Sequence, residues 1–302
     1  MNNSQRGVAI VAVMWIVSAL AILASVVAYA TRVELRQTQL LRDRAVVAAL
    51  GDGAINLAIA GMQSGSPAGD GLLWRRYTID GTTVHVRLIP ATGLINLNTA
   101  PETLLRDTFQ YAAGINEEHA LSLAHRVIDW RDADDDPLPQ GAENEDYYSA
   151  GRPEGARNGL FVVNEDLRQV LGLSPDIYDS LSGLINVYPS GNSGVNPAAA
   201  PPEVLAILAR GNDEAVQHVE DMRQLDEPAK DYSGLAQEYI ESGSATVYRI
   251  EAYIQTGDGQ YMSRVRWVDI TRGFGRYPWQ IFRVEPVIGV KSAALLNRAA
   301  TD

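Results

Sequence analysis

Residues Val8 to Ala30 read VAIVAVMWIVSALAILASVVAYA, 23 consecutive residues without a charge. At ~1.5 Å per residue, a helix of this length spans about 34 Å, enough to cross a hydrocarbon core. A soluble core helix of the same length would show a polar face, and this one offers only Ser18, Ser25 and the tip of Tyr29. The run therefore reads as a membrane segment. In front of it stand seven polar residues, MNNSQRG, ending in Arg6 and Gly7. A Sec signal peptide would be cut after the apolar run, where Tyr29-Ala30-Thr31 fits only loosely. The helical pattern does not stop there. Thr31 to Ala60 continues with helix formers, the charges Arg32, Glu34, Arg36 and Arg42, and the apolar Val33, Leu40, Leu41, Val47 and Leu50. No proline occurs between Met1 and Ser66. The expectation is one unbroken helix of roughly fifty residues, half in lipid and half outside it, ending near Met62. There Gly61, then Gly65, Ser66, Pro67 and Gly69, break it.

Of 302 residues, 46% are hydrophobic, and the net charge is −12. An acidic surface is repelled by phosphate backbones, so nucleic-acid binding is not expected. The absence of cysteine excludes disulfides, thiol catalysis and cysteine-based zinc sites. Stability must then come from the core or from a bound metal.

Two strand-like segments, Tyr77-Thr78-Ile79 and Val84 to Leu88, flank Asp80-Gly81, a hairpin turn pair. A second β region follows much later. Val247 to Ile254 alternates apolar and polar residues, Tyr261 to Ile270 does so after the turn Gly257-Asp258-Gly259, and Tyr277 to Val284 supplies a last strand. The intervening residues read as helical. The expected fold class is α+β: a long N-terminal helix packed on an antiparallel sheet, with a large all-α domain inserted between the second and third strands. The expected division is a leader at 1–7, a membrane segment at 8–30, the first helix-and-strand part at 31–90, the insert at 91–239 and the remaining strands at 240–302.

The insert echoes itself. Gly93-Leu94-Ile95-Asn96 recurs as Gly183-Leu184-Ile185-Asn186, and Asn98-Thr99-Ala100-Pro101-Glu102 is repeated loosely as Asn196 followed by Ala200-Pro201-Pro202-Glu203. The first copy has the capping-box form Thr99-x-x-Glu102. Further helix starts are expected at Asn116, Asn164 and Ser174. Ala113-Gly114-Ile115-Asn116, leading into His119 to Trp130, and Leu171-Gly172-Leu173-Ser174, leading into Asp176 to Ile185, resemble helix-hairpin-helix units. In DNA-binding proteins such hairpins grip a phosphate through backbone amides and lysines. Here Glu117, Glu118, Asp176 and Asp179 follow instead, which favours a protein-packing module. A membrane-anchored helix-hairpin-helix DNA-uptake protein is the alternative reading.

The segment Asp129-Trp130-Arg131-Asp132-Ala133-Asp134-Asp135-Asp136, followed by Gly141-Ala142-Glu143 and Glu145-Asp146-Tyr147-Tyr148, is unusually acidic. Crowded carboxylates repel one another unless a cation neutralises them. Calcium takes six to eight oxygens from carboxylates and carbonyls. Counted from Asp132, acids stand at the first, third and fifth positions (Asp132, Asp134, Asp136), and Glu143 stands at the twelfth, as in an EF-hand. Leu138 would offer the carbonyl of the seventh. Pro137 replaces the sixth-position glycine, and no helix is expected after Glu143, so the segment is an EF-like ligand list and not an EF-hand. The favoured ligands are Asp132, Asp134, Asp136 and Glu143, with Asp146 next. A solvated acidic loop is the alternative, and magnesium, which prefers waters and strict octahedral geometry, suits the segment less well.

No catalytic constellation is expected. The histidines His85, His119, His125 and His218 lack zinc spacing, and neither a nucleophile elbow nor a phosphate-binding glycine loop is present.

The leader ending in Arg6-Gly7 before a long apolar helix resembles the type IV prepilin class. That resemblance implies cleavage by a prepilin peptidase between Gly7 and Val8 and methylation of the new amino terminus. Most of that class carry glutamate as the fifth mature residue, which here is Ala12. Its absence, the phrase Ile95-Asn96-Leu97-Asn98-Thr99-Ala100-Pro101, the acidic segment and the inserted helical region resemble the minor pseudopilin family of type II secretion called protein K. Membership would imply a single-pass protein in inner-membrane lipid with its bulk in the periplasm and calcium in the helical domain. It would also imply a place at the tip of the pseudopilus with the minor pseudopilins I and J, with H and the major pseudopilin as further candidate partners.

Overall fold

The computed structural model describes residues 4–64, 71–189, 193–224, 230–273, 275 and 277–290. Helix α1 runs unbroken over Ser4–Gln63, 60 residues, or about 90 Å. Gly7 and Val8 lie on its backbone near the start. The expected breakers Gly65, Ser66, Pro67 and Gly69, and residues 1–3 of the leader, lie outside the described residues. Ile10 to Ala30 is exposed throughout, and the helix is long and apolar enough to cross a membrane. Among the described side chains of α1, only those at the far end are packed. Val47, Ala54, Ile55, Ala58 and Ile59 recur at helical spacing and are fully buried.

They pack on a sheet of order β1-β2-β5-β6-β7, antiparallel at every pairing. Its members are β1 (Leu73–Ile79), β2 (Thr82–Pro90), β5 (Val247–Gln255), β6 (Tyr261–Asp269) and β7 (Gln280–Val284), and β8 (Ile288–Gly289) pairs with β6. Ile79 pairs with Thr82 across Asp80 (φ 50°) and Gly81 (φ 74°), the left-handed pair a two-residue hairpin turn requires. Val84, Val86 and Leu88 of β2 and Tyr248, Ile250, Ala252 and Ile254 of β5 meet α1.

The expected apolar-polar alternation of Val247 to Ile254 places Arg249, Glu251 and Tyr253 on the other face, and these too are buried. That face is covered by the insert rather than by water. Tyr188 packs tilted against Trp267 (4.9 Å) and edge-on against Phe282 (4.6 Å), Arg249 Nη1 donates to the Gly183 carbonyl (2.7 Å), and Arg283 pairs with Glu165.

The crossing of α1 over β6 is fixed at two residues. A Cβ on Gly51 would lie 2.6 Å from Arg264 Cβ, and next to it Asp52 accepts from Arg264 Nε (2.8 Å) and pairs with Arg266 Nη2 (2.5 Å). Gly51→Leu is therefore expected to push helix and sheet apart and to cost about 1–3 kcal/mol in urea unfolding. An unchanged midpoint would mean that the crossing is looser than described.

Between β2 and β5 the chain forms β3 (Ile95–Asn96), α2 (Glu102–Ala113), α3 (Glu117–Arg131), α4 (Asn144–Ser149), α5 (Pro175–Leu181), β4 (Ile185–Asn186), α6 (Pro202–Leu208) and α7 (Asp213–Gln224). The two Gly-Leu-Ile-Asn phrases lie side by side: β3 pairs in parallel with β4, Ile95 with Ile185 and Asn96 with Asn186. The second echo is structural as well. Asn96 accepts the Thr99 and Ala100 amides through its carbonyl and the Asn98 amide through its side chain. Asn196 treats Ala199, Ala200 and Ala198 in the same way. Arg131 donates to the carbonyls of Leu97 and Ala100, and Arg223 to those of Pro197 and Ala200.

Two local expectations are corrected. The helix start expected at Thr99-x-x-Glu102 is shifted: α2 begins at Glu102 with Pro101 as its cap residue, and the Thr99 amide joins the Asn96 turn. The helix expected over Asp176 to Ile185 stops at Leu181, and Ile185 joins the strand pair instead. Asn116 and Ser174 cap their helices as expected, accepting from the amides of His119 (2.9 Å) and Ile177 (3.3 Å).

Candidate metal centre

Helix α3 buries Ala120, Leu123, Ala124, Val127 and Trp130 along one stripe. Its last turn thereby aims Asp129 inward, where the residue is fully buried. The Asp129 carboxylate accepts the amides of Ala142 (2.8 Å) and Leu138 (3.3 Å), so it ties the far end of the acidic loop to α3. Gly141 is required there, since a Cβ would fall 1.7 Å from Asp129 Oδ2. Burial raises the Asp129 pKa, partly offset by those two amides. On the other flank His125 Nδ1 accepts the Gln140 amide (3.2 Å), while Nε2 lies 3.2 Å from Glu102. His125 thus works as a loop anchor.

The loop leaves α3 at Asp132 and enters α4 at Asn144. The helix not expected after Glu143 is present: α4 follows it directly, with Glu143 as its cap residue. A twelve-position acidic loop between two helices is the layout that an EF-like ligand list requires.

Of the five expected ligands, three converge. Asp132, Asp134 and Glu143 each offer an oxygen within 4.8 Å of the others. Both Glu143 carboxylate oxygens and Asp132 Oδ1 are buried without a hydrogen-bond partner. Buried carboxylate oxygens without donors are costly, and this set suits a hard cation. Burial, and then Asp129, Asp132, Asp135 and Asp134, push the Glu143 pKa up to about 7. Burial and the neighbouring Asp134 and Asp129 raise Asp132 as well.

The other two stand apart. Asp136 is exposed, and its own amide donates to Asp134 Oδ1 (3.1 Å). Asp146 accepts the Glu143 amide (3.0 Å) and so serves as a cap for α4. The Leu138 carbonyl, expected as a seventh-position ligand, closes a turn by accepting the Gly141 amide (2.9 Å).

Sequence reasoning missed the residues that hold the loop in shape. Asp135 Oδ1 accepts from Asn144 Nδ2 (2.7 Å) and Asn158 Nδ2 (2.9 Å), and Asn158 Nδ2 also reaches the Asp134 carbonyl (3.1 Å). Asn158 Oδ1 is buried and unpaired. Beneath the loop, Trp130 packs against Tyr147 (5.6 Å) and Phe161 (6.3 Å).

At the two helix-hairpin-helix units, Glu117, Glu118, Asp176 and Asp179 are all exposed. Negative side chains at both hairpin exits oppose phosphate binding.

Comparison with known proteins gives a consistent set. A family model described as type II secretion system protein K matches residues 98–190, a span that contains the whole acidic loop. A putative type II secretion system protein K of Escherichia coli K12 is 26% identical over 221 residues, 65% of this chain and 66% of that protein. Type II secretion system protein K of Klebsiella pneumoniae is 26% identical over 233 residues, 69% and 71% of the two chains. That of Pectobacterium carotovorum is 24% identical over 219 residues, 65% and 67%. The chain thus spans about two thirds of the length of these relatives. Its fold is similar to a chain in the crystal structure of the GspK-GspI-GspJ complex from the enterotoxigenic Escherichia coli type 2 secretion system. The TM-score is 0.54 at 16% identity, over 86% of this chain and 100% of that one.

Proposed function

We propose that this chain is a member of the type II secretion system protein K family, which it resembles in sequence, and that it works as a minor pseudopilin, a component that assembles rather than catalyses. One observation carries the reading. A single helix, α1, leads without a break from an apolar span to a packed end on an antiparallel sheet, and a bulky helical insert covers the sheet's other face.

In this reading the chain is cut between Gly7 and Val8 by a prepilin peptidase, methylated at Val8 and held in inner-membrane lipid by residues 8–30, with the remainder in the periplasm. Its partners are the minor pseudopilins I and J, in keeping with the complex named for the structural neighbour, and then H and the major pseudopilin. The place is the fibre tip. In an apolar bundle, an acid at the fifth mature position neutralises a neighbour's amino terminus, and leaving either charge unpaired is costly. A tip subunit has no neighbour above it, so Ala12 is sufficient. The insert fits the same position, since nothing need stack over it.

The loop between α3 and α4 would hold calcium through Asp132, Asp134 and Glu143. Orphaned, buried carboxylate oxygens support this, and bound calcium would neutralise them and join the two helices into one rigid unit.

Mass spectrometry of the mature amino terminus tests the assignment. A methylated chain beginning at Val8 is expected. A chain beginning near Thr31 would make residues 8–30 a discarded signal and end the pseudopilin reading.

A further inference from the structure

Asn158-Gly159 is the sole Asn-Gly pair in the sequence, and it is held by the acidic loop. Asn158 has a left-handed backbone (φ 47°), and its Nδ2 spans the Asp134 carbonyl (3.1 Å) and the Asp135 carboxylate (2.9 Å). The Gly159 amide donates to the Trp130 carbonyl (3.3 Å) at the end of α3. The side-chain amide is thus pinned on one side of the loop and the following backbone nitrogen on the other.

We propose that Asn158-Gly159 is a deamidation site that the acidic loop keeps closed while a cation occupies it. The chemistry is that of any Asn-Gly pair. The Gly159 nitrogen attacks Asn158 Cγ, a C–N bond forms, and the Cγ–Nδ2 bond breaks. The amide proton leaves with Nδ2 as ammonia. Water then opens the five-membered imide at either carbonyl, giving aspartate or isoaspartate. The missing Cβ of glycine lets the nitrogen approach. In the closed loop that approach requires two anchors to break, the Nδ2 bonds to Asp134 and Asp135 and the Gly159 bond to Trp130. Without a cation, Asp132, Asp134 and Glu143 repel one another, and local opening frees both anchors. The change runs one way. A carboxylate at 158 cannot donate to Asp135, and it faces that acid with like charge, so a loop opened long enough to react loses its binding geometry.

This inference rests on the calcium reading above, and its test separates the two. Full-length protein in detergent is incubated at neutral pH with calcium or with a chelator. Peptide mapping then follows the one-dalton gain at residue 158, and melting is recorded on the same samples. Deamidation is expected to run about tenfold faster with chelator. Gly159→Ala is expected to abolish it in both samples, and a Cβ there meets nothing nearer than 3.8 Å. Asn158→Asp, which makes the product directly, is expected to weaken calcium binding roughly tenfold, as loss of a supporting hydrogen bond does at other metal sites. Equal rates with and without calcium would overturn the proposal even if melting responds to calcium. No reaction at 158 in either sample, or normal calcium affinity in Asn158→Asp, would overturn it too. Melting that ignores calcium would instead remove the reading on which it rests.

Discussion

Chelation of calcium is expected to lower the melting temperature of the full-length protein by roughly 10 °C. A ligand at a thousand times its dissociation constant stabilises a fold by about 4 kcal/mol, and each kcal/mol moves a domain of this size by about 2–4 °C. Asp134→Ala and Glu143→Ala are expected to flatten the response. Asp136→Ala and Asp146→Ala should leave calcium affinity nearly intact, because neither carboxylate joins the cluster; Asp146→Ala acts through the α4 cap alone.

The pH dependence has a definite sign. With its pKa raised to about 7, Glu143 favours the folded, metal-free chain only while it is protonated. That contribution is complete below the ordinary carboxylate range and is lost as pH rises through 7. Calcium must displace the same proton, so affinity is expected to fall roughly tenfold per pH unit below 7. The chelator effect should therefore be large at pH 8 and small at pH 5. Glu143→Gln, uncharged at every pH, should melt higher than the metal-free wild type at pH 8 and ignore calcium. Superimposable wild-type curves with and without chelator at pH 8 would remove calcium from the account.

Much of this architecture is legible because it rests on local chemistry. A charge-free run without proline has few alternatives to a continuous helix, and Asp80-Gly81 between two β-rich segments nearly dictates its hairpin. The internal echo is legible as repetition, but its meaning is not. Pairing Ile95 with Ile185 is a contact across 90 positions, and no local propensity encodes it. The acidic loop shows the same boundary. Spacing singles out Asp132, Asp134, Asp136 and Glu143, yet Asp136 stays outside the cluster, and identical letters at 129, 135 and 146 take different roles. Asp129 is turned inward by the buried stripe of α3, Asp135 is held by Asn144 and Asn158, and Asp146 caps α4. Those roles depend on which donor lies opposite, and Asn158 comes from 23 positions further along the chain. Helix α4 is six residues long, too short to show a periodic pattern.

The second large effect is expected at Glu251, far from the loop. This carboxylate is 3% exposed in the central strand β5, between the sheet and the insert. It accepts from Arg87 Nε (2.7 Å) and the Tyr253 hydroxyl (2.6 Å), and Arg249 Nη2 lies 3.2 Å away. Burial alone would raise its pKa, but Arg87, Arg249 and the hydroxyl more than offset this and hold it at about 2. Glu251→Gln takes the ion-pair partner from the buried Arg87 guanidinium and leaves Arg249 with Glu285 alone, 3.8 Å away, and breaking a buried pair costs about 3–5 kcal/mol. The loss should appear as a lower urea midpoint. It should also loosen the insert, because Arg249 carries the bond to the Gly183 carbonyl, so protease should cut the insert boundaries sooner. A triple replacement, Arg87→Met, Arg249→Met and Glu251→Leu, removes the charges together and is expected to recover much of the stability, since apolar side chains of similar volume can replace a buried ion cluster. Acid supplies the discriminating measurement. A depressed pKa means that the stabilisation is complete above the ordinary carboxylate range and disappears as pH falls toward about 2. The gap between wild type and Glu251→Gln should therefore be constant near neutrality and close at strongly acidic pH. A gap below about 1 kcal/mol at pH 7 would show that water reaches these arginines, and the insert would then be held to the sheet by the Tyr188, Trp267 and Phe282 cluster rather than by charge.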